Sequence, residues 1–69
     1  MFEYQNNILY IFCINKLIDV KENYISVSSK NMILDIKGNG LLLASFEDKE
    51  ISIKGEIDSI SISRINVGI

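Results

Sequence analysis

The sequence predicts an all-β protein, a small antiparallel β sandwich or rolled β-meander built as a single β domain over residues 1–69. Three observations carry this reading. From Lys49 to Ser63, Ile51, Ile53, Ile57, Ile60 and Ile62 are separated by serines and charged residues. That two-residue period marks strands with one face inward and one toward water. Isoleucine accounts for fourteen residues, and its branched Cβ favours extended backbone. Proline is absent, so no backbone N–H is lost from a ladder.

Taken in order, the first twenty residues offer two options. Tyr4, Ile8, Ile11, Leu17 and Ile18 partly fit a helical stripe, but the Ile, Tyr and Phe content favours strands at Ile8–Ile14 and Leu17–Val20. Residues 1–13 are read as an N-terminal strand or a partner-binding segment. The polar Lys21-Glu22-Asn23 then makes a turn into a strand at Tyr24–Ser28. Ser29-Lys30-Asn31 makes the next, with Asn31 expected to take the left-handed conformation. After Met32–Lys37, the triplet Gly38-Asn39-Gly40 reads as a type I′ hairpin leading to Leu41–Phe46. Glu47-Asp48-Lys49 turns into Glu50–Lys54, followed by Glu56–Ser63 and a weak tail at Ile65–Ile69.

Two features imply specific geometry. The isoleucine phase is odd through Ile57 and even at Ile60 and Ile62, so a β-bulge is expected near Asp58-Ser59. Gly55 lies just before it, where a strand bends or another backbone comes close. Leu41–Phe46 is apolar on both faces, as in a central core strand or one partly covered by a second subunit. If the Gly38–Gly40 hairpin registers simply, Ile33, Leu42, Ala44 and Phe46 share one face as a possible interface. Met32, Leu34, Leu41 and Leu43 then share the other.

Composition narrows the chemistry. A 69-residue domain is close to the lower size limit for a self-sufficient core. Cys13 is the only cysteine and histidine is absent, so neither an intrachain disulfide nor a structural zinc site is expected. Association, as a homo-oligomer or with a protein partner, is the remaining route to stability. Cys13 lies in an apolar run and reads as a small buried hydrophobe. The carboxylates fall at alternate strand positions or in turns, and no histidine is present to activate a serine, so no enzymatic activity is expected. Gly38–Gly40 lacks the Lys-Ser/Thr and helix of a phosphate-binding loop. The seven basic residues are scattered among nine acids, which argues against nucleic acid, although the aromatics leave a nucleic-acid- or oligosaccharide-binding barrel as an alternative. The apolar run Ile8–Ile14 is far shorter than a membrane span, and only Glu3 is charged before it. No transmembrane segment and a cytoplasmic location are expected.

The stretch from residue 14 to 62 resembles the YabP/YqfC family of sporulation proteins. The resemblance lies in the order Tyr24-Ile-Ser-Val-Ser28, Asn31, Met32-Ile-Leu-Asp-Ile-Lys-Gly38, Asn39-Gly40, Leu41-Leu-Leu-Ala-Ser-Phe46 and Ile51-Ser-Ile-Lys-Gly-Glu-Ile-Asp-Ser-Ile-Ser-Ile62. Asn31 stands where the family often has glycine, and Ile62 replaces a closing aromatic. The resemblance implies a non-enzymatic interaction or assembly module of late spore formation, acting in spore envelope assembly. It also implies a mother-cell cytoplasmic location, peripheral to the forespore membrane, with a membrane-embedded sporulation protein as partner. It implies no cofactor, metal ligand or catalytic residue. The alternative from the residues themselves is a self-assembling structural β protein.

Overall fold

The computed structural model describes residues 2–64, all within strands or the short connections between them. Six strands form one antiparallel sheet: β1 Phe2–Gln5, β2 Ile8–Ile11, β3 Ile14–Lys21, β4 Tyr24–Ser29, β5 Met32–Glu47 and β6 Glu50–Arg64. Their order across the sheet is β1-β2-β6-β5-β4-β3. The small all-β class expected from the isoleucine period is therefore observed. The expected tail at Ile65–Ile69 lies outside the described residues.

The long β5–β6 hairpin shapes the molecule. Sixteen extended residues would measure about 50 Å, yet the longest dimension of the protein is 39 Å, so the hairpin bends. The first half of β5 pairs with β4 and with the second half of β6. The second half of β5 pairs with the first half of β6, which continues to β2 and β1. The two half-sheets roll over one another. Leu9 and Ile11 from β2, Ile14 from β3, Ile25 and Val27 from β4, Leu34, Ile36 and Leu41 from β5, and Ile51 and Ile53 from β6 meet in one buried cluster.

Gly38-Asn39-Gly40 is not a hairpin, which corrects the sequence reading. All three residues lie inside β5, at the bend. A Cβ on Gly38 would overlap the main-chain oxygen of Glu56, and one on Gly55 would stand 2.5 Å from the Gly40 oxygen. Gly55 (φ 126°) and Gly40 (φ 61°) both use backbone conformations that favour glycine. Asn-Gly suits a bend in a long strand as well as a tight turn, and the sequence period does not separate the two. The same correction joins Met32–Lys37 to Leu41–Phe46, and Glu50–Lys54 to Glu56–Ser63. The expected bulge is present: Lys37 pairs with Ser59 and Gly38 with Ile57, leaving Asp58 as the extra residue.

All four hairpin turns contain two residues. Asn6-Asn7 (φ 54° and 61°) and Asp48-Lys49 (φ 54° and 61°) have the two positive angles of a type I′ turn. At Lys30-Asn31 it is Lys30 that has positive φ (57°), not Asn31. Glu22-Asn23 closes β3 onto β4, and its two carbonyls accept from the N–H groups of Leu41 (2.7 Å) and Gly38 (3.2 Å). Those bonds hold the bend of β5. At the opposite end, Ile14 N–H donates to the Lys49 carbonyl at 2.8 Å, tying the start of β3 to the β5–β6 turn. The connection from β2 to β3 passes through Cys13 at φ 62°, and the buried Ser29 hydroxyl lies 2.9 Å from the carbonyl oxygens of both Phe12 and Cys13. Cys13 is exposed, not a core residue, because this kink turns it away from the packed face.

Candidate interaction surface

Directly opposed residues in a sheet point to the same face, so the register assembles the core side into rows. In one half-sheet these are Phe2–Ile11–Ile51–Phe46 and Tyr4–Leu9–Ile53–Leu43. In the other they are Val20–Ile25–Ile36–Ile60 and Leu17–Val27–Leu34–Ile62. The two inner members of every row are fully buried. The outer members reach the unpaired strand edges, and most are open to water: Phe2 at 40%, Tyr4 at 52%, Val20 at 45%, Phe46 at 50% and Ile62 at 48%. Apolar surface is thus concentrated at the edges of the rolled sheet.

Four edges result. β1 and the second half of β5 bound one half-sheet, and β3 and the second half of β6 bound the other. An unpaired edge presents backbone donors and acceptors, and here apolar side chains lie beside them.

The sequence-derived interface residues do not form one patch. Leu42 is 60% exposed and opposes Lys54 and, beyond it, Ile8, on the face away from the core. Phe46 opposes the buried Ile51 and therefore leaves on the core side. Ala44 is exposed at a shift of register between Leu43 and Ser45, and Ile33 is half-buried in the first half of β5 beside Ser28 and Ser63. Shifts at Asn39/Leu42 and Leu43/Ser45 break the simple alternation on which a shared face depended. Of the structural positions, Asn31 lies in a turn, while Gly38, Asn39, Gly40 and Gly55 form the bend; Asn39 Nδ2 donates to Glu56 Oε1 at 3.3 Å across it. Phe2, Tyr4, Val20 and Ile62 are not legible as surface residues in the sequence, because alternation gives the face of a strand but not its distance from an edge.

Apart from the Leu42–Lys54–Ile8 row and Ile33, the outer face is mainly polar. Tyr24 and Ser26 hydroxyls each donate to Asp35 Oδ1 at 2.7 Å. The Ser26 bond, then the Tyr24 bond, lowers the Asp35 pKa below its ordinary value. The Tyr24 phenol is correspondingly raised, chiefly because its proton is held by Asp35. Ser45 and Ser52 hydroxyls meet at 2.6 Å on the other half-sheet. Two shallow clefts open at the ends of the molecule. One of about 460 Å³ lies between Phe12-Cys13 and Asp48-Lys49-Glu50, and one of about 680 Å³ between Tyr4–Ile8 and Lys54–Ile57. Among the described residues no group of three His, Cys, Asp or Glu is placed to hold a metal ion, and no helix is long and apolar enough to cross a membrane. No family model, curated protein or solved structure matches the chain.

Proposed function

We propose that this protein is a non-enzymatic interaction module of late spore formation, acting in spore envelope assembly with a membrane-embedded partner. The observation that supports an interaction role is the set of exposed apolar side chains along the edges left unpaired among the described residues. Burial of such side chains contributes about 25 cal/mol per Å² of apolar area removed from water. Main-chain bonding at the same edge adds alignment, so strand addition is the natural mode of contact.

The sporulation context rests on the resemblance of residues 14–62 to the YabP/YqfC family, above all on Ile53-Lys-Gly-Glu-Ile57 with Ile60 and Ile62. In this reading the protein works in the mother-cell cytoplasm, peripheral to the forespore membrane. Deleting the gene and counting heat-resistant spores after starvation tests it. The expected result is a sharp loss of resistant spores with normal vegetative growth; unchanged counts would overturn the sporulation reading.

A further inference from the structure

The four edges differ in how well they resist pairing with another chain. β1 is four residues long and carries Glu3. β3 is broken by register shifts at Ile14/Lys16 and Leu17/Asp19 and carries Lys16, Asp19 and Lys21. The second half of β5 has two shifts of its own. Charges, short length and bulges are the usual protections of a sheet edge. The second half of β6 has none of them from Ser59 to Ser63. Ser59 to Arg64 pair with Lys37 to Met32 without a shift, β2 reaches only as far as Lys54, and the segment Ser-Ile-Ser-Ile-Ser carries no charge.

We infer that this edge pairs with the same edge of a second copy, antiparallel, about a two-fold axis through Ser61. The inference rests on the reading of the protein as an assembly module and names the partner for one edge. An antiparallel self-pairing must place like faces opposite one another, so a residue rather than a peptide midpoint lies on the axis. With Ser61 there, Ile60 meets the partner's Ile62 and Ser59 meets the partner's Ser63. At both ends the bulged Asp58, just beyond the regular ladder, comes to the level of the partner's Arg64, and both charges are exposed in the single chain. Centring on Ile60 would instead set Asp58 against Ile62, and centring on Ile62 would set Ile60 against Arg64. Only the Ser61 axis matches apolar with apolar, hydroxyl with hydroxyl and acid with base. The product is a continuous eight-stranded layer, β3-β4-β5-β6 followed by the same four strands of the second copy in reverse.

The test is hydrodynamic mass of the full chain from roughly micromolar to millimolar concentration, with three variants. The wild type should form a dimer. Ile62→Lys, at a half-exposed position, should be monomeric while keeping a cooperative thermal transition. Asp58→Arg and Arg64→Asp should each weaken self-association by roughly tenfold, and mixing the two should restore a dimer that contains one copy of each. A wild type that stays monomeric, or a dimer indifferent to all three changes, overturns the inference. Spore counts from the Ile62→Lys allele beside those from the deletion keep the two readings apart. Loss of spores on deletion with a monomeric wild type sinks the pairing alone, and a charge-dependent dimer with normal spore counts on deletion sinks the sporulation role alone.

Discussion

The main-chain oxygen of Glu56 occupies the space where a side chain at Gly38 would begin. β5 and β6 approach this closely because both strands turn at the same level, β6 through Gly55 and β5 through Gly40. Here the neighbour is backbone and has no rotamer to change.

A methyl group at Gly38 therefore costs more than ordinary overpacking, about 3 kcal/mol or above. Gly55→Ala should be of similar size, because it adds a disallowed φ of 126° to a backbone overlap. Gly40→Ala is the control: its φ is 61° but nothing lies within 4 Å of the added carbon, so the cost should be about 1 kcal/mol. Thermal melts should rank Gly40→Ala well above the other two, and equal melting points would refute the bend as described.

Asp35 confers an acid-side dependence. Its pKa is lowered in the folded chain, so its contribution is present above the unfolded carboxylate pKa and is lost as pH falls through the folded value. Asp35→Asn should lower stability near neutral pH by about 1 kcal/mol and flatten the decline below pH 3.8, the ordinary value. Chemical denaturation of both proteins from neutral to strongly acid pH would show the curves converging. Parallel curves would remove Asp35 as the cause.

Asp48 and Lys49 both take left-handed angles without being Asn or Gly. The double substitution Asp48→Asn with Lys49→Gly matches the side chains to a type I′ turn and should stabilise the protein by about 0.5–1 kcal/mol. That corresponds to a rise of about 3–6 °C in melting temperature. The bond from Ile14 N–H to the carbonyl at position 49 uses main chain only and is retained. A fall in melting temperature would show that the Lys49 side chain matters.

Phe46 and Ile51 oppose each other, yet one is 50% exposed and the other fully buried. Phe46→Glu should leave the fold within about 1 kcal/mol of wild type and reduce binding of a hydrophobic dye. Ile51→Glu should unfold the chain, since an unpaired carboxylate would enter the core. Unfolding by Phe46→Glu would reassign that residue to the core.

Much of the sheet is legible in the sequence. The jump of the isoleucines from odd to even positions locates the Asp58 bulge, because a phase change has only one remedy in a paired strand. The turns at Glu22-Asn23, Lys30-Asn31 and Asp48-Lys49 are marked by polar residues between apolar runs. Asn6-Asn7 is readable in principle, since asparagine enters the left-handed region more easily than most residues, but Phe2–Gln5 alternates over only four residues, too few to announce a strand. Gly38–Gly40 reads wrongly as a hairpin because deciding between hairpin and bend needs Gly55, which becomes relevant only once β6 lies alongside. The edges are illegible for the same reason: sheet order is a property of three dimensions.

That order also dictates timing. β2 has β1 on one side, and its other neighbour is β6, the last strand described. β3, β4 and β5 can zip together in chain order, each beside the strand that precedes it. The β1–β2 hairpin must wait for residues 51–54, about forty positions further on, before Leu9 and Ile11 gain their neighbours in the sheet. Until β6 docks, β2 keeps an open edge and an uncovered apolar face, and a chaperone or a dimer partner that arrives before then meets it as an open strand.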